Sequence, residues 1–468
     1  MQIIKVISKD EDEKPEHISN LENIFLNNNV KKEKILCIGE VQSGKTKNII
    51  MCVNKCIEEK WSISIILGGT NNLLTEQTKK RFDKDIKNGK IFIVENFDSA
   101  LKNIIYYFNN KIHLIFIMLK NDKNLEKILE LTKLKIAKIG KILFIDDECD
   151  YASNNISTKD ESKIYSLINK IYEEIELGKM ISITGTPFAN ILENSKIKNE
   201  QNKFTRSLFL KHSEEYTGLE YFNNKNSYLI TECNKKDEDL RMPLGESLLT
   251  FLYFSAIGLK NDENYKSEFL INIDLNKEKH EWIYKEIHIC FANFCRYPQE
   301  ILLRKIGVIL NKYKFVVKYD PKEISDFIIK IFNSFVDSCD KITNKIKNIF
   351  LLNSDNENEF QSGKCKFSII IGGTMISRGF TFKYLNTELI LNAPDENIAI
   401  DTLLQRARWF GYRKNTELIH VFMNRKIFNA YREANEIMIN VKKFSNNLYE
   451  LENYCKSYKN DVIKLSAK

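Results

Sequence analysis

The run GEVQSGKT, Gly39 to Thr46, directly follows the apolar stretch EKILCIG (33–39). It satisfies the pattern G-x-x-x-x-G-K-T. Glycines at these positions let the backbone wrap closely, so that its N–H groups face phosphate oxygens. Lys45 then places a charge on the β- and γ-phosphates, and Thr46 a hydroxyl on Mg²⁺. Gly39, Gln42, Ser43, Gly44, Lys45 and Thr46 are therefore the candidate nucleotide contacts, with ATP and Mg²⁺ the expected ligands. A second run, KILFIDDECD, carries an apolar strand into acidic residues and ends at Asp150. Phosphoryl transfer to water needs one carboxylate on the Mg²⁺ shell and another to orient the attacking water. Asp147 is assigned to the metal and Glu148 to the water, with Asp146 supporting them and Asp150 bridging to other motifs. Acidic turns after strands are commonly only solvated turns. The P-loop upstream gives this one a chemistry.

Three further runs take meaning from that pair. MISIT followed by GTPFAN contains Thr184, Gly185, Thr186 and Pro187, by itself an ordinary turn. IIIGGTMISRGFTF (369–382) ends a buried strand in a glycine pair and then presents Ser377, Arg378 and Gly379. Small residues with an arginine suit contact with phosphate, whether of a nucleotide or of a nucleic acid. DTLLQRARWFGYR (401–413) crowds Gln405, Arg406, Arg408 and Arg413 among Trp409, Phe410 and Tyr412. The bland reading is a basic helix with aromatic anchors. The functional reading is that Arg408 or Arg413 reaches the γ-phosphate from a second domain.

The elements that must position these groups are strands alternating with helices, the pattern of a parallel α/β sheet. Strands are expected at 33–39, 62–69, 90–95, 112–119, 141–146 and 180–185, and again at 267–274, 314–320, 366–373, 387–393 and 416–423. A polar stretch, roughly 194–246, reads as connection or insertion, and 345–364 as a surface excursion. The expected division is an N-terminal segment 1–32, a first α/β unit 33–250, a second 251–425, and a helical tail 426–468.

Composition sets the outer bounds. With 43% hydrophobic and 29% charged residues, 17 Gly and 6 Pro, the chain can bury ordinary cores and is neither collagen-like nor a Pro-rich linker. Lys plus Arg is 71 against 63 Asp plus Glu, a net +8 that permits a polyanion partner without demanding one. No apolar run approaches the roughly 20 residues of a membrane helix, and the acidic start MQIIKVISKDEDEKPEH is unlike a secretory signal. The ten cysteines form no CxxC pair, so reduced, mostly buried thiols in a cytoplasmic protein with no membrane partner are expected. No nuclease site is legible. TECNKK (231–236) offers Glu232 and Lys235 at the wrong spacing for a metal-activated water.

The order GxxxxGKT, DECD, TGTP, SRG and QRARWFGYR resembles the superfamily 2 helicase core, in which two RecA-like P-loop domains contribute to one ATP site. The wording VQSGKT, GGTNNLLTEQTKKRF, DDECDYAS, TGTPFAN, GGTMISRGFT and QRARWFGYR is similar to the bacterial Z-one domain family of defence-associated ATPases, often labelled endonucleases, over roughly residues 35–425.

That resemblance implies an ATP-dependent nucleic-acid translocase or remodelling ATPase in an anti-phage or restriction-type defence system, with DNA favoured over RNA and other defence subunits as possible partners. It implies that Lys45, Asp147, Glu148, Gln405, Arg408 and Arg413 act in catalysis, Gln405 sensing the γ-phosphate. Thr184 and Thr186, with Asp150, would couple hydrolysis to domain motion. Gly379 would join the nucleotide contacts, and Thr70, Asn71, Gln77, Arg81, Thr374 and Arg378 would touch nucleic acid. Arg408 and Arg413 are spaced more widely than the paired arginines of helicases, so which is the finger is open. An ATP-driven switch on a partner protein, or an endonuclease with an unrecognised site, are the alternatives.

Overall fold

The structure is a computed structural model that describes residues 14–26, 31–68, 90–134, 140–150, 162–225, 228–230, 237–273, 276–296, 298–315, 318–340, 345–352, 360–373, 382–391, 398–459 and 463–465. Thr70, Asn71, Gln77, Arg81, Thr374, Arg378 and Gly379 lie outside them, as do Glu232 and Lys235.

The first sheet comprises β1 (Lys32–Ile38), β2 (Ile63–Gly68), β3 (Ile91–Ile93), β4 (His113–Leu119), β5 (Ile142–Asp147), β6 (Gly178–Thr184) and β7 (Arg206–Phe209), in the order β3-β4-β2-β5-β6-β1-β7. Its pairings are parallel. Parallel strands covered on both faces read as near-continuous apolar runs, because each face must be buried. Ile63, Ile65 and Phe144 accordingly pack into one core, while Ile66, Leu143 and Ile145 face another beneath helix α2 (Lys45–Glu58). Helix α1 (Pro15–Phe25) lies against α2, through Asn20 Nδ2 donating to Asn48 Oδ1 at 3.0 Å. The segment expected to stand apart thus belongs to the first unit. The P-loop strand β1 and the acid strand β5 flank β6, so the loops leaving all three converge at one end of the sheet.

A short strand β8 (Tyr216–Thr217) follows, and then the second sheet: β9 (Tyr228–Ile230), β10 (Ser267–Asn272), β11 (Ile349–Leu352), β12 (Phe367–Gly372), β13 (Leu385–Ile390) and, after the two-residue strands β14 (Ile398–Ala399) and β15 (Gly411–Tyr412) that pair elsewhere, β16 (His420–Met423), ordered β11-β12-β10-β13-β16-β9 and parallel throughout. One face packs on the helix Asp237–Asn261, and the other on the helix Arg425–Phe444 and on residues of the first unit. The expected class holds: two units with mainly parallel sheets flanked by helices, and a helical tail continued by Leu448–Ser457.

Several expectations need correction. Residues 314–315 and 318–320 form no strand. Lys314 turns left-handed (φ 51) after the helix Gln299–Lys312, and Phe315 packs edge-on to His420 as part of a connection. The supposed excursion 345–364 contains the edge strand β11. The polar stretch 194–246 supplies β7 to the first sheet and β9 to the second. The division drawn at 250/251 falls inside the helix Asp237–Asn261; the strands place the passage between sheets at 209–228. Residues Leu240–Asn261 also have the length and hydropathy of a membrane span, which the search for uninterrupted apolar runs missed, but most of this stretch is buried in the second core.

Candidate nucleotide site

The loop after β1 turns sharply into α2. Gly44, its N-cap, is left-handed (φ 84), which costs glycine nothing. A Cβ on Gly39 would stand 2.9 Å from Lys45 Cγ, and one on Gly185 would stand 3.2 Å from Lys45 Nζ. Both glycines therefore make room for the lysine. Lys45 Nζ donates to the carbonyls of Gly39 (3.3 Å) and Glu40 (3.0 Å). Burial pulls its pKa down against the pull of Asp147, Glu148, Asp150 and Glu40. A cation in a loop of backbone N–H groups at a helix N-terminus has the chemistry to take a phosphate. Thr46 follows on α2. Its hydroxyl and the Asp147 carboxylate are hard oxygen donors of the kind Mg²⁺ takes together with substrate phosphates.

The acid loop leaves β5 at the same end. Burial, and then the charge of Glu148, push Asp147 up to about 6, against Lys45 and Lys120. Glu148 is left-handed (φ 50), a conformation that costs a non-glycine residue about 1–2 kcal/mol. Its N–H donates to Asp147 Oδ1 at 3.1 Å. Asp150, buried, accepts from Thr184 Oγ1 at 2.7 Å, Thr186 Oγ1 at 3.0 Å and Gln405 Nε2 at 3.0 Å. Thr184 Oγ1 in turn accepts from the Thr186 N–H at 2.9 Å. One carboxylate thus ties the first unit's acid loop, the turn after β6, and the second unit. Gln405 meets Asp150 here, where the sequence assigned it to the γ-phosphate.

The second unit also reaches the P-loop directly. Strand β15 (Gly411–Tyr412) pairs antiparallel with β8, and Thr217 Oγ1 donates to the Gly411 carbonyl at 2.7 Å. Tyr412 Oη donates to the Ser43 carbonyl at 3.2 Å, and Tyr216 Oη to the Val41 carbonyl at 2.7 Å. Between them Gln42 (φ 60), with its amide oriented to satisfy both atoms, donates to the Phe410 carbonyl at 2.8 Å and accepts from Arg408 Nη1 at 3.2 Å. His212 Nε2 lies 2.5 Å from Glu40 Oε2.

The two finger candidates differ. Arg413 is part-buried and donates to the carbonyls of Phe382, Arg408 (2.6 Å) and Phe410 (3.1 Å). Burial holds it at about 10, below its ordinary value, against the pull of Glu268 and Glu388. Arg408 is buried with one nitrogen on Gln42 of the P-loop. Behind both lies Glu388 on β13, in register with Leu270 of β10. The sequence reading missed Glu388, Lys120, Tyr216 and His212. The first two carried a signal, a charge inside or ending an apolar strand (TELILN, IHLIFIMLK). The last two sit in a stretch that reads only as polar.

Residues 243–466 match the family model described as the Z1 domain, which bears out the resemblance over the second unit and tail; the P-loop and acid loop lie outside that match. A curated protein of Plasmodium berghei (strain Anka), eukaryotic translation initiation factor 2-alpha kinase 2, is 28% identical over 320 residues, or 64% of this chain. The chain spans only 10% of that protein's length. Among solved structures, the chain is similar to the DUF1998 helicase MrfA bound to DNA and AMPPNP, with a TM-score of 0.48 and 12% identity over 91% of this chain and 50% of that one. It is similar also to Dbp5 of S. cerevisiae bound to RNA and ADP BeF3, with a TM-score of 0.40 and 13% identity over 96% and 98% of the two chains. The helicase domain of Pyrococcus furiosus Hef gives 0.38 and 11% over 89% and 97%. At these scores and identities the likenesses carry nothing about chemistry.

Proposed function

We propose that this chain hydrolyses Mg-ATP between its two units and uses the cycle to move on, or remodel, nucleic acid. The observation that carries the reading is the Asp150 junction, where Thr184 and Thr186 of the first unit and Gln405 of the second share one buried carboxylate beside the P-loop. Lys45 binds the β- and γ-phosphates. Thr46 and Asp147 would hold Mg²⁺, which supplies charge neutralisation on the transferring phosphoryl group. Glu148 orients the attacking water, and Arg408 approaches from the second unit as the finger. Arg408 is favoured because Arg413 is already committed to three carbonyls. Loss of the γ-phosphate then shifts Gln405 relative to Asp150 and reopens the units.

The substrate track is DNA more than RNA, and the setting is a bacterial anti-phage or restriction-type defence system with further subunits; both follow the Z1 resemblance. The nine described cysteines are unpaired, which suits a reducing compartment and so the cytoplasm. The test is steady-state ATP hydrolysis with and without single-stranded DNA, duplex DNA and RNA, with Lys45→Ala as control. Strong stimulation by one nucleic acid supports a motor and names its track. Turnover indifferent to all three points instead to a switch on a partner protein. Hydrolysis unaffected by Lys45→Ala overturns the site.

A further inference from the structure

A lysine outside every nucleotide motif stands behind the two carboxylates. Lys120 follows β4, which is separated from the acid strand β5 by β2. Its side chain crosses the end of β2 and is 2% exposed as a residue. Three oxygens receive its ammonium: Asp146 Oδ1 at 2.6 Å, and the carbonyls of Asp147 at 2.9 Å and Glu148 at 3.0 Å. Successive carbonyls of an extended strand point to opposite sides. The left-handed turn at Glu148 is what brings these two to one cation. That same turn directs the Glu148 N–H onto Asp147 Oδ1, so the turn and the carboxylate's direction are set together.

Stability alone does not call for this arrangement. A buried ion pair is often no better for folding than apolar residues of the same volume. An apolar side chain, however, cannot hold two carbonyls and thereby a strained turn. We propose that Lys120 is the positioning residue of the hydrolytic site, fixing the acid loop so that Asp147 and Glu148 face Lys45 across the P-loop. This rests on the Mg-ATP reading given above.

Lys120→Met alone strands the buried Asp146 carboxylate and invites unfolding. The test is therefore the pair Lys120→Met with Asp146→Asn, alongside Asp146→Asn alone. Folding is checked by circular dichroism and a cooperative melt. Binding of a fluorescent ATP analogue is measured with and without Mg²⁺. The expected result is a folded pair variant that binds the analogue within about 3-fold of wild type in the absence of Mg²⁺, since the P-loop is untouched. Its kcat falls by about 100-fold or more, the loss that misplacing catalytic groups by about 1 Å brings, and the Mg²⁺-dependent part of its affinity is lost. Asp146→Asn alone, which leaves Lys120 on its two carbonyls, loses clearly less turnover than the pair.

A pair variant with kcat within about 3-fold of wild type overturns the inference. So does one whose Mg²⁺-free binding and turnover fall together, or one that does not fold, since either marks Lys120 as purely structural. If wild type binds but hydrolyses nothing, the hydrolysis reading fails separately. The Mg²⁺ dependence of binding then decides Lys120: loss in the pair variant upholds the positioning role and retention sinks it. A wild type that does not bind the analogue at all ends both.

Discussion

Two buried carboxylates beside the junction of the units, Asp150 on the first and Glu388 on the second, are handled in opposite ways. At the P-loop end of the first sheet, Asp146 has Lys120 and Asp150 has three donors; at the opposite end, Glu33 near the start of β1 takes both Lys179 and Arg206. In the second sheet, Glu388 is fully buried, and among the described residues neither of its oxygens makes a well-formed hydrogen bond, though the Arg408 backbone and the Asn272 amide lie close enough to favour its charged form. Burial pushes Glu388 up to about 8, with Arg408 and Arg413 pulling the other way. An unsatisfied buried polar group costs about 1–3 kcal/mol, more if charged. The difference teaches where the machine is rigid. The acid loop is held in place by its partners, which is what the proposed electrostatic catalysis requires of it. The Glu388 carboxyl behind Arg408 and Arg413 is less settled, which is the cost profile of a group that rearranges.

The largest test of that contrast is Glu148→Gln. If the acid loop is the settled side, neutralising its water-orienting carboxylate lowers kcat by about 10³-fold or more while ATP binding stays. Steady-state hydrolysis beside equilibrium binding measures both. Undiminished turnover would place the water's partner elsewhere and break the comparison at its first term.

Next comes Glu388→Gln. A carboxyl whose folded pKa lies near 8 and whose unfolded pKa is near 4.5 binds more protons folded than unfolded between those values. Stability therefore falls as pH rises through that window, by on the order of 3 kcal/mol from pH 5 to 8. Glu388→Gln removes that slope, so the urea midpoints of the variant at pH 5 and pH 8 lie closer together than those of wild type. Parallel midpoints in the two proteins would mean that Glu388 finds partners the static structure does not show.

Much of this was legible in the sequence because the relevant physics is local. Six parallel strands of the first sheet announce themselves as apolar runs, since both faces are buried, and the P-loop announces itself by Gly39, Gly44 and Lys45. Two edge strands were not legible. Arg206–Phe209 and Ile349–Leu352 lie partly exposed, and their apolar runs are only three or four residues long between polar stretches. KFVVKYD misled in the opposite sense, because burial of Phe315 against the second core needs apolar residues but no sheet. In the site, the resemblance grouped Asp150, Thr184 and Thr186, and the structure joins the three by hydrogen bonds. Lys120 was passed over because its partners lie on a strand distant in sequence, where no spacing rule reaches, and Glu388 because the arginines that act on it lie on another segment. Arg413 reads as a second finger from its type, and only the structure reveals the carbonyls that its guanidinium engages.

Smaller effects test the ribbon that lets the second unit touch the first. Tyr412→Phe deletes one neutral hydrogen bond to the Ser43 carbonyl and is expected to cost about 1 kcal/mol in thermal stability. Because that bond lands on the P-loop, saturating ATP analogue should shrink the difference in Tm between variant and wild type if nucleotide takes over the loop's restraint. A difference that ATP leaves unchanged would make the contact plain packing between the units.

The weakest member of the ribbon is His212 on Glu40. Burial pulls the imidazole down, but the Glu40 carboxylate outweighs it, so the folded pKa lies above the ordinary 6.5. The sign follows from proton counts: the folded state holds the proton longer, so the pair's contribution is full below 6.5 and is lost as pH rises through the folded value. Glu388 also loses stability with rising pH, from about 4.5 to about 8, so the two windows overlap above pH 6.5 and only removing the Glu388 carboxyl isolates His212. In the Glu388→Gln background, the fall in Tm that persists above pH 6.5 is then expected to belong to His212, and His212→Asn should remove it. Its size is below about 1 kcal/mol, since the ring is still reached by solvent. A residual slope that survives His212→Asn would locate the remaining pH sensitivity in another contact between the units, leaving the P-loop side of the ribbon as settled as the acid loop beside it.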